Sequence, residues 1–335
     1  MWLIVVGAIV LIAGGVDLGW TTLGTHGGGP ISAPLTKLIW KMMCGLHRRW
    51  PHHRALSFGG SIILIFLVAF WIAMVWIGWV LIFSGSALSI VTTQGRPVDL
   101  IERVYFVGVS MFTAGTSQYL PGSSVWRILT SFVNGSGVVV ATLAVTYLLA
   151  VLAATVEKRS MASFIWDMGG IPERIIARAW DGERFTDLGN HLSRLGEALE
   201  LFGEQHLAYP ILQYFHSENR RTAAPLRIAA LHDTLLLLGH GVEAGLRPPQ
   251  LLMGSSLDSI RGFAEVVAGE FVTAPDDPPP LPDLGILRAL GIPTVDDSTF
   301  RVAIENANDV RRRLLGMILD TGWTWEDAFD MNLIP

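Results

Sequence analysis

The stretch FGGSIILIFLVAFWIAMVWIGWVLIF, residues 58–83, contains no charged side chain. A helix crosses the hydrocarbon core of a bilayer with about 20 predominantly apolar residues, so this stretch predicts a transmembrane helix. A second uncharged stretch at 128–156 meets the same criterion. The composition agrees, because 51% of the 335 residues are hydrophobic and 16% are charged, against about 25% charged in soluble proteins. The sequence therefore predicts a membrane protein.

A third apolar block, residues 1–16, opens the chain and reaches spanning length when it is extended to residue 23. It lacks the basic start and the small-residue cleavage site of a secretory signal peptide. We expect a retained span over 1–23, with a signal-type or re-entrant segment as the alternative. Beyond residue 156 the chain has the composition of a soluble helical domain. The net charge of −5 gives no reason to expect nucleic-acid binding.

The distribution of basic residues predicts the orientation in the membrane. The connector at 24–57 carries Lys37, Lys41, Arg48, Arg49 and Arg54 and no acidic residue. Basic connectors stay in the cytoplasm, so we expect the connector and the long C-terminal part to be cytoplasmic and the N-terminus to lie outside the inner (plasma) membrane. The single cysteine fits a reducing compartment. Residues 34–46 have the pattern of an amphipathic helix at the membrane surface.

A shorter apolar segment lies between the two strong spans. Residues 99–112 have a helical pattern that begins with an acidic residue, which the helix dipole favours at that end. The segment is too short to cross a bilayer, and its length is typical of a buried or re-entrant helix. It leads directly into TAGTSQYLP, residues 113–121.

This order resembles the pore unit of the two-span, pore-loop potassium channels, over roughly residues 58–156. The loop of that family reads T-V-G-Y-G-D-x-x-P, and residues 113–121 align with it without a gap. Arg127 follows at the start of the last span, where the family often has arginine. The resemblance implies a homotetramer that conducts a monovalent cation, most simply K⁺. It also implies a selectivity filter whose members are Thr113, Ala114, Gly115, Thr116 and Ser117.

Backbone carbonyls from four such loops can replace the hydration shell of an ion. The family uses two glycines because alternate residues adopt positive φ, which costs other residues about 1–2 kcal/mol. Gly115 keeps the first glycine, whereas Thr116, Ser117 and Gln118 replace the tyrosine, the second glycine and the outer acidic residue. These departures leave two alternatives, a wider and less selective pore or a loop that conducts nothing.

The last span carries polar residues at multiples of four, namely Thr130, Asn134, Thr142 and Thr146. Asn134 in an apolar helix either lines a water-filled cavity with Thr130 or forms hydrogen bonds to another helix. Gly135 and Gly137 are either a hinge for opening or a packing point. Residues 20–30, WTTLGTHGGGP, superficially repeat the loop pattern, but no span follows them. We expect a glycine-rich turn there and one pore loop per chain.

The remainder of the chain predicts helices. The face at 185–202 is amphipathic, and TAPDDPPPLPD at 273–283 is a Pro-rich linker that divides the tail into two helical pieces. Histidines 191, 206, 216, 232 and 240 suggest a metal site, a pH-sensing cluster, or ordinary packed and surface residues. No motif of an enzyme or of a nucleotide-binding domain is present, so we predict neither catalysis nor a bound cofactor.

The expected architecture is thus an all-α membrane protein that contains a pore-loop unit and a helical cytoplasmic domain. A non-conducting membrane-anchored sensor or scaffold is the alternative, and a membrane enzyme that uses the histidines is a third hypothesis. The predicted segments are a span at 1–23, the connector at 24–57, the pore domain at 58–156, a helical cytoplasmic domain at 157–272, the linker at 273–283 and a C-terminal helical segment at 284–335.

Overall fold

The computed structural model describes residues 1–25, 27–50, 53–115, 117–185, 188–270 and 272–330. The chain forms two compact units, the first from Met1–Leu38 and Ser61–Val151 and the second from Ile39–Gly60 and Leu152–Pro335. The helices are α1 (Trp2–Leu23), α2 (Ser32–Arg49), α3 (His53–Ser57), α4 (Gly59–Ser84), α5 (Leu100–Met111), α6 (Ser124–Met168), α7 (Pro172–Ala179), α8 (Leu188–Ala208), α9 (Ala224–Leu236), α10 (Gln250–Glu270), α11 (Gly285–Ala289), α12 (Asp297–Glu305) and α13 (Asn308–Asp320). The strands are β1 (Ile90–Thr92) and β2 (Tyr119–Pro121).

Among the described residues, three helical segments are long and apolar enough to cross a membrane. They are Trp2–Leu23, His53–Ser84 and Ser124–Met168. The predicted number of apolar spans and the mainly helical fold are therefore confirmed. The third of these segments, α6, continues without a break to Met168, so the boundary predicted between residues 156 and 157 falls inside this helix.

Helices α1 and α4 of the first unit approach each other at glycines. A Cβ at Gly7 would lie 2.6 Å from the carbonyl oxygen of Gly78, and a Cβ at Gly78 would lie 2.7 Å from Leu11. Small residues let two helix backbones come this close, which is how helices associate where no hydrophobic driving force exists between them. The crossing of α1 and α4 thus depends on two residues without side chains.

Aromatic side chains connect α4 to α6 within the same unit. Trp71 is fully buried, and its ring meets Tyr147 edge to face at 5.7 Å. Trp79 Nε1 donates a hydrogen bond to Ser136 Oγ at 2.9 Å. A buried indole nitrogen needs such an acceptor, so Ser136 fixes the position of Trp79 along α6.

The prediction that the fold is all α-helical is wrong in one detail. Strands β1 and β2 form a two-stranded antiparallel sheet in which Ile90 pairs with Pro121 and Thr92 with Tyr119. Pro121 can occupy this pair because both strands are edges, where a missing N–H donor is tolerated. The sheet thus joins the segment before α5 to the segment after the loop that follows α5.

The second unit has one hydrophobic core, to which the end of α6 and the helices α7 to α13 contribute. The amphipathic face predicted for residues 185–202 is confirmed from residue 188 onward, because its apolar residues there are buried in α8. Phe185 lies before this helix and packs on Trp180 with ring centroids 5.0 Å apart. Phe202 of α8 stacks on Phe263 of α10 with ring centroids 4.8 Å apart. Contrary to the prediction, the Pro-rich segment does not divide the tail, since Leu231 before it and Leu314 after it belong to this core.

Candidate functional site

Helix α5 begins at a capping box in the first unit. The Asp99 carboxylate accepts a hydrogen bond from the backbone N–H of Glu102, and the Glu102 carboxylate accepts one from the N–H of Asp99. Arg96 Nη2 lies 2.8 Å from Glu102 Oε1, and this hydrogen bond lowers the pKa of the Glu102 carboxyl. Asp99, the acidic residue from which the sequence predicts the start of α5, therefore caps the helix, and Leu100 is its first residue.

One face of α5 packs on α4. Trp76 Nε1 donates to the carbonyl oxygen of Val104 at 3.1 Å, and the Trp76 ring lies against Gly108, where a Cβ would come within 2.8 Å of it. Phe106 contacts Phe83 with ring centroids 6.0 Å apart. The other face is exposed and carries large apolar side chains, namely those of Leu100, Ile101 and Tyr105.

The C-terminal end of α5 packs on α6 at Gly137. A Cβ at Gly137 would lie 1.9 Å from the carbonyl oxygen of Met111. With its amide turned so that the nitrogen donates, Asn134 lies 2.8 Å from Ser110 O and 3.1 Å from Thr130 O. Asn134 therefore connects α6 to the last turn of α5, as the helix–helix alternative expects, and the cavity-lining role of Thr130 and Asn134 stays a prediction.

The loop starts as a Schellman motif. The N–H of Ala114 donates to Val109 O at 2.9 Å and the N–H of Thr113 to Ser110 O at 3.0 Å. This motif requires a residue in the left-handed region, and Thr113 adopts it with a φ of 58°. Thr113, the first predicted filter residue, thus terminates α5.

The loop then passes through a second left-handed residue. Gly115 has a φ of 71°, and a side chain there would meet open space. Ala114 and Ser117 are exposed, whereas Thr116 lies outside the described residues. After the loop, the N–H of Thr93 donates to Gln118 O at 3.3 Å, and β2 continues from that contact. The described filter residues, Thr113 to Gly115 and Ser117, therefore lie in an exposed loop, which is held at one end by α5 and at the other by the sheet.

The other candidate residues on α6 do not form one group. The Thr130 hydroxyl donates to Trp126 O in its own helix at 2.8 Å. Gly135 is exposed, and a Cβ there would meet no atom within 4 Å, whereas Gly137 is buried at the contact with α5. Thr142 and Thr146 are exposed. Gly137 packs closely against α5, and the hinge hypothesis for Gly135 and Gly137 stays a prediction.

Alanine substitutions at the two glycines test whether Gly137 is needed for the close packing of α6 on α5. We expect Gly137→Ala to destabilise the first unit by about 1–3 kcal/mol, because the new methyl group overlaps a backbone oxygen. Gly135→Ala should be neutral or stabilising by up to about 1 kcal/mol, since alanine is the better helix former. Thermal unfolding of the full chain in detergent measures both. Equal losses at the two positions would contradict the packing role of Gly137.

Sequence reasoning missed a buried carboxylate in α1. Asp17 is fully buried, and its Oδ1 accepts hydrogen bonds from the N–H groups of Ile31 at 2.8 Å and Ser32 at 2.9 Å. Its Oδ2 accepts one from Trp71 Nε1 at 3.0 Å. Asp17 therefore caps the start of α2, and a lone acidic residue within an apolar segment was the signal for it.

The glycine-rich segment before α2 is tied to the same place. Thr21 Oγ1 accepts a hydrogen bond from the N–H of Gly29 at 2.8 Å and donates one to Asp17 O at 2.7 Å. A Cβ at Gly29 would lie 2.3 Å from Asp17 Oδ1. Residues 20–23 belong to α1, so the predicted turn begins only after Leu23, and His26 lies outside the described residues.

The histidines suggested by the sequence do not converge in the second unit. His206 packs edge to face on Phe202 at 4.5 Å, His232 is buried beside Asp233, and His191 is exposed. Burial lowers the pKa of His206 to about 3. Among the described residues, no group of three or more His, Cys, Asp or Glu side chains is arranged to hold a metal ion.

Comparison with known proteins identifies a relative over nearly the whole chain. No family model matches the sequence, and no solved structure matches it. The chain is 32% identical over 325 residues to the uncharacterized membrane protein YdjJ of Bacillus subtilis (strain 168), a match that covers 96% of this chain and 94% of the relative. With its three apolar helices, the chain therefore belongs to the same family of membrane proteins as YdjJ.

Proposed function

We propose that the first unit is one quarter of a pore-loop channel that conducts monovalent cations, either K⁺ or several cations with weak selectivity. The observation that carries the proposal is the geometry of α5 and its loop. A helix too short to cross a bilayer ends in a Schellman motif and continues into an exposed loop with left-handed residues at Thr113 and Gly115. Irregular backbone at membrane depth is tolerated only when it is buried in protein or lines a water-filled path.

The exposed faces of the unit support a homotetramer. Leu100, Ile101, Tyr105 and Phe112 are each more than half exposed around α5, next to a loop that contains backbone polar groups. Lipid would cover the apolar side chains but would leave the loop unsatisfied. Neighbouring copies with their loops around one axis would cover the side chains and give the loops a common aqueous path.

Exposed polar residues on α6 also fit this arrangement. Thr142 and Thr146 are exposed on a helix whose other outward side chains are mainly apolar, such as Val138, Val145 and Leu149. Polar groups in a membrane helix generally face water or a partner. In the proposed tetramer these threonines would face the inner cavity or a neighbouring subunit.

The surface of α2 supports the proposed orientation. Leu38, Met42 and Leu46 are exposed at intervals of four residues, and Lys37 and Lys41 are exposed beside them. A helix with this pattern lies in the membrane interface, where its basic residues interact with anionic lipid. The proposal therefore keeps the connector and the helical domain cytoplasmic and the N-terminus outside.

A specific observation favours the second candidate, a non-conducting sensor or scaffold. The first filter residue is used to end α5, and Ser110 O accepts both from Thr113 and from Asn134. A loop fixed in this way is also consistent with a purely structural element. The two candidates differ in whether ions cross the membrane.

Ion flux through the purified full chain in liposomes tests the proposal. We expect flux along K⁺ or Na⁺ gradients and none along a Cl⁻ gradient. Gly115→Asp should reduce the flux at least tenfold, because four added side chains crowd the axis at a residue with positive φ. Gly95→Asp is the matched control, since Gly95 also has a positive φ and open space around its Cβ position but lies outside the loop.

The outcomes separate the two candidates. Flux that Gly115→Asp abolishes and Gly95→Asp preserves supports conduction through the loop, and the order of the cations gives its selectivity. If neither cation crosses at any pH, although the purified protein is tetrameric, the non-conducting candidate is favoured. Equal losses in both variants would attribute the effect to backbone strain.

A further inference from the structure

Three histidine rings meet in the second unit, one of them from the set suggested by the sequence. They come from separate elements: His47 from α2, His53 from α3, and His216 from the segment after the 3-10 turn Pro210–Tyr214. His53 Nδ1 lies 3.1 Å from His216 Nε2, within hydrogen-bond distance. The ring centroids of His47 and His53 are 4.8 Å apart.

Trp323 completes this group, which we call the histidine cluster (His47, His53, His216 and Trp323). The indole ring stacks on His53 with centroids 4.0 Å apart and lies 5.7 Å from His216. The His47 ring packs on Gly322, where a Cβ would come within 3.2 Å of it. The cluster thus joins the connector, at His47 and His53, to the C-terminal part of the helical domain.

Most of the charge around the cluster is positive. Lys158 Nζ donates to the carbonyl oxygens of Leu212 at 3.1 Å and Phe215 at 3.2 Å, directly before His216. The Arg220 guanidinium lies 5.8 Å from the centre of the Trp323 ring.

The nearby carboxylates already have partners. Arg220 forms ion pairs with Asp327 and Asp330, and the Asp320 carboxylate accepts a hydrogen bond from Gln213 Nε2 at 2.8 Å. Neither His53 nor His216 is joined to a carboxylate in the described ion pairs, and Asp327, whose charge acts on His53, is paired with Arg220. A second proton on this pair of rings would therefore meet mainly positive charge.

The cluster holds together only while its histidines carry few protons. The hydrogen bond between His53 and His216 needs one N–H group facing one nitrogen lone pair, which two neutral rings provide whichever ring is the donor. If both rings are protonated, two N–H donors face each other, and the hydrogen bond is replaced by repulsion between two cations. Lys158 and Arg220 add to that repulsion, because burial reduces the screening between charges.

The sign of the pH dependence follows from His216. Burial, together with His53, Lys158 and His47, lowers its pKa from about 6.5 to about 3. A histidine exposed by opening of the cluster would regain its ordinary pKa, so the open state binds the additional proton. The titration of His216 therefore leaves closure unaffected above about pH 6.5 and weakens it as the pH falls below that value, by about tenfold per pH unit for one proton.

We propose that the histidine cluster is an acid-released latch, which holds residues 39–50 and 53–57 of the connector on the helical domain at neutral pH and releases them in acid. The latch goes beyond the proposed ion conduction and does not depend on it. Its four rings come from both parts of the chain that it joins, and it needs no ligand other than protons.

Cys44, the one cysteine of the chain, reports on the latch. It lies in α2 three residues before His47, is half buried, and its Sγ is 3.7 Å from Asp320 O. We would measure its reaction with 4,4′-dithiodipyridine, which reacts with thiols in acid, between pH 8 and pH 5 in the full chain in detergent. At each pH the rate for Cys44 is divided by the rate of glutathione with the same reagent, which corrects for the change in thiolate concentration with pH.

We expect the relative rate to be constant from pH 8 to about 6.5 and to rise at least tenfold by pH 5. His216→Gln should reduce that rise at least fivefold, because glutamine does not take up a proton. His191→Gln is the matched control, since His191 is exposed and lies outside the cluster; it should keep the full rise.

A flat relative rate in the wild-type chain, or a rise that remains complete in His216→Gln, would overturn the latch. A rise accompanied by loss of far-ultraviolet circular dichroism would overturn it as well, because it would indicate general acid unfolding. If Cys44 in His216→Gln already reacts fast at pH 8, the substitution has broken the contact, and His53→Gln is measured instead. A reduced rise in His53→Gln relative to the wild-type chain supports the latch, and a complete rise overturns it.

Discussion

Arg311→Met is expected to lower the free energy of unfolding of the second unit by about 3–5 kcal/mol, the usual cost of removing one partner from a buried ion pair. The Arg311 side chain is fully buried, and its Nε and Nη2 lie 3.0 and 2.9 Å from the two carboxylate oxygens of Asp233. Nη1 also donates to Pro279 O at 3.0 Å, and Nη2 donates to Pro280 O. Methionine fills much of the space but leaves the carboxylate and two carbonyl groups without donors.

The measurement is urea unfolding of the full chain in detergent, followed by far-ultraviolet circular dichroism. Arg313→Met is the matched control in the same helix, because Arg313 forms an ion pair with the exposed Asp309 at 2.8 Å. That variant should lose about 0.5 kcal/mol or less, as is usual for a surface pair.

A double variant tests whether the unpaired charge causes the loss. Asp233→Leu combined with Arg311→Met should recover part of the stability lost in Arg311→Met, since no carboxylate is then left buried without a partner. Equal losses in Arg311→Met and Arg313→Met would contradict the role of the buried pair.

The same pair explains why the Pro-rich segment was misinterpreted from the sequence. Its prolines are typical of a linker, and nothing local in 273–283 indicates a partner. The partner is an arginine about 30 residues further along, whose donors satisfy the carbonyl groups of Pro279 and Pro280. A contact between such distant positions is set by tertiary packing, which one sequence does not reveal.

The helices, in contrast, were largely predictable from local patterns. The uncharged stretches had the length of a span, and Asp99 marked the start of α5 because its side chain caps the helix. The apolar spacing of α8 also matched its buried face. The pairing of β1 with β2 was missed, since three-residue strands are too short to produce a recognisable period of two.

The candidate loop was predicted as a segment, but not its internal geometry. The left-handed conformation of Thr113 contradicts its intrinsic preference, which disfavours positive φ in a β-branched residue. The contact between Asn134 and Ser110 was one of two alternatives that the spacing on α6 left open. Both features lie where α5 packs against α6, at the place where a Cβ added at Gly137 would come within 1.9 Å of Met111 O.

The second large effect is expected at Asp17. Asp17→Ala should destabilise the first unit by about 3 kcal/mol or more, because each buried donor left unpaired costs about 1–3 kcal/mol. The donors are the N–H groups of Ile31 and Ser32 and the indole nitrogen of Trp71. The substitution also removes a negative charge from the start of α2, where the helix dipole favours one.

Hydrogen exchange and thermal unfolding of the full chain in detergent measure this effect. The amides of residues 31 and 32 should exchange faster in Asp17→Ala, together with a lower melting temperature. Trp71→Phe is the first comparison, since it removes one donor and leaves the cap of α2 in place. It should therefore cost less stability than Asp17→Ala and leave the exchange at residues 31 and 32 slow.

Asp99→Ala is the second comparison, and it isolates the contribution of burial. Asp99 also caps a helix with its carboxylate, but it is exposed, so water can replace its hydrogen bonds. We expect about 1 kcal/mol for Asp99→Ala, the usual value of an N-cap. If Asp17→Ala cost no more than this, the carboxylate would be an ordinary cap. A loss several times larger, confined to α2 in the exchange data, would mean that Asp17 and Trp71 together determine where the amphipathic helix begins.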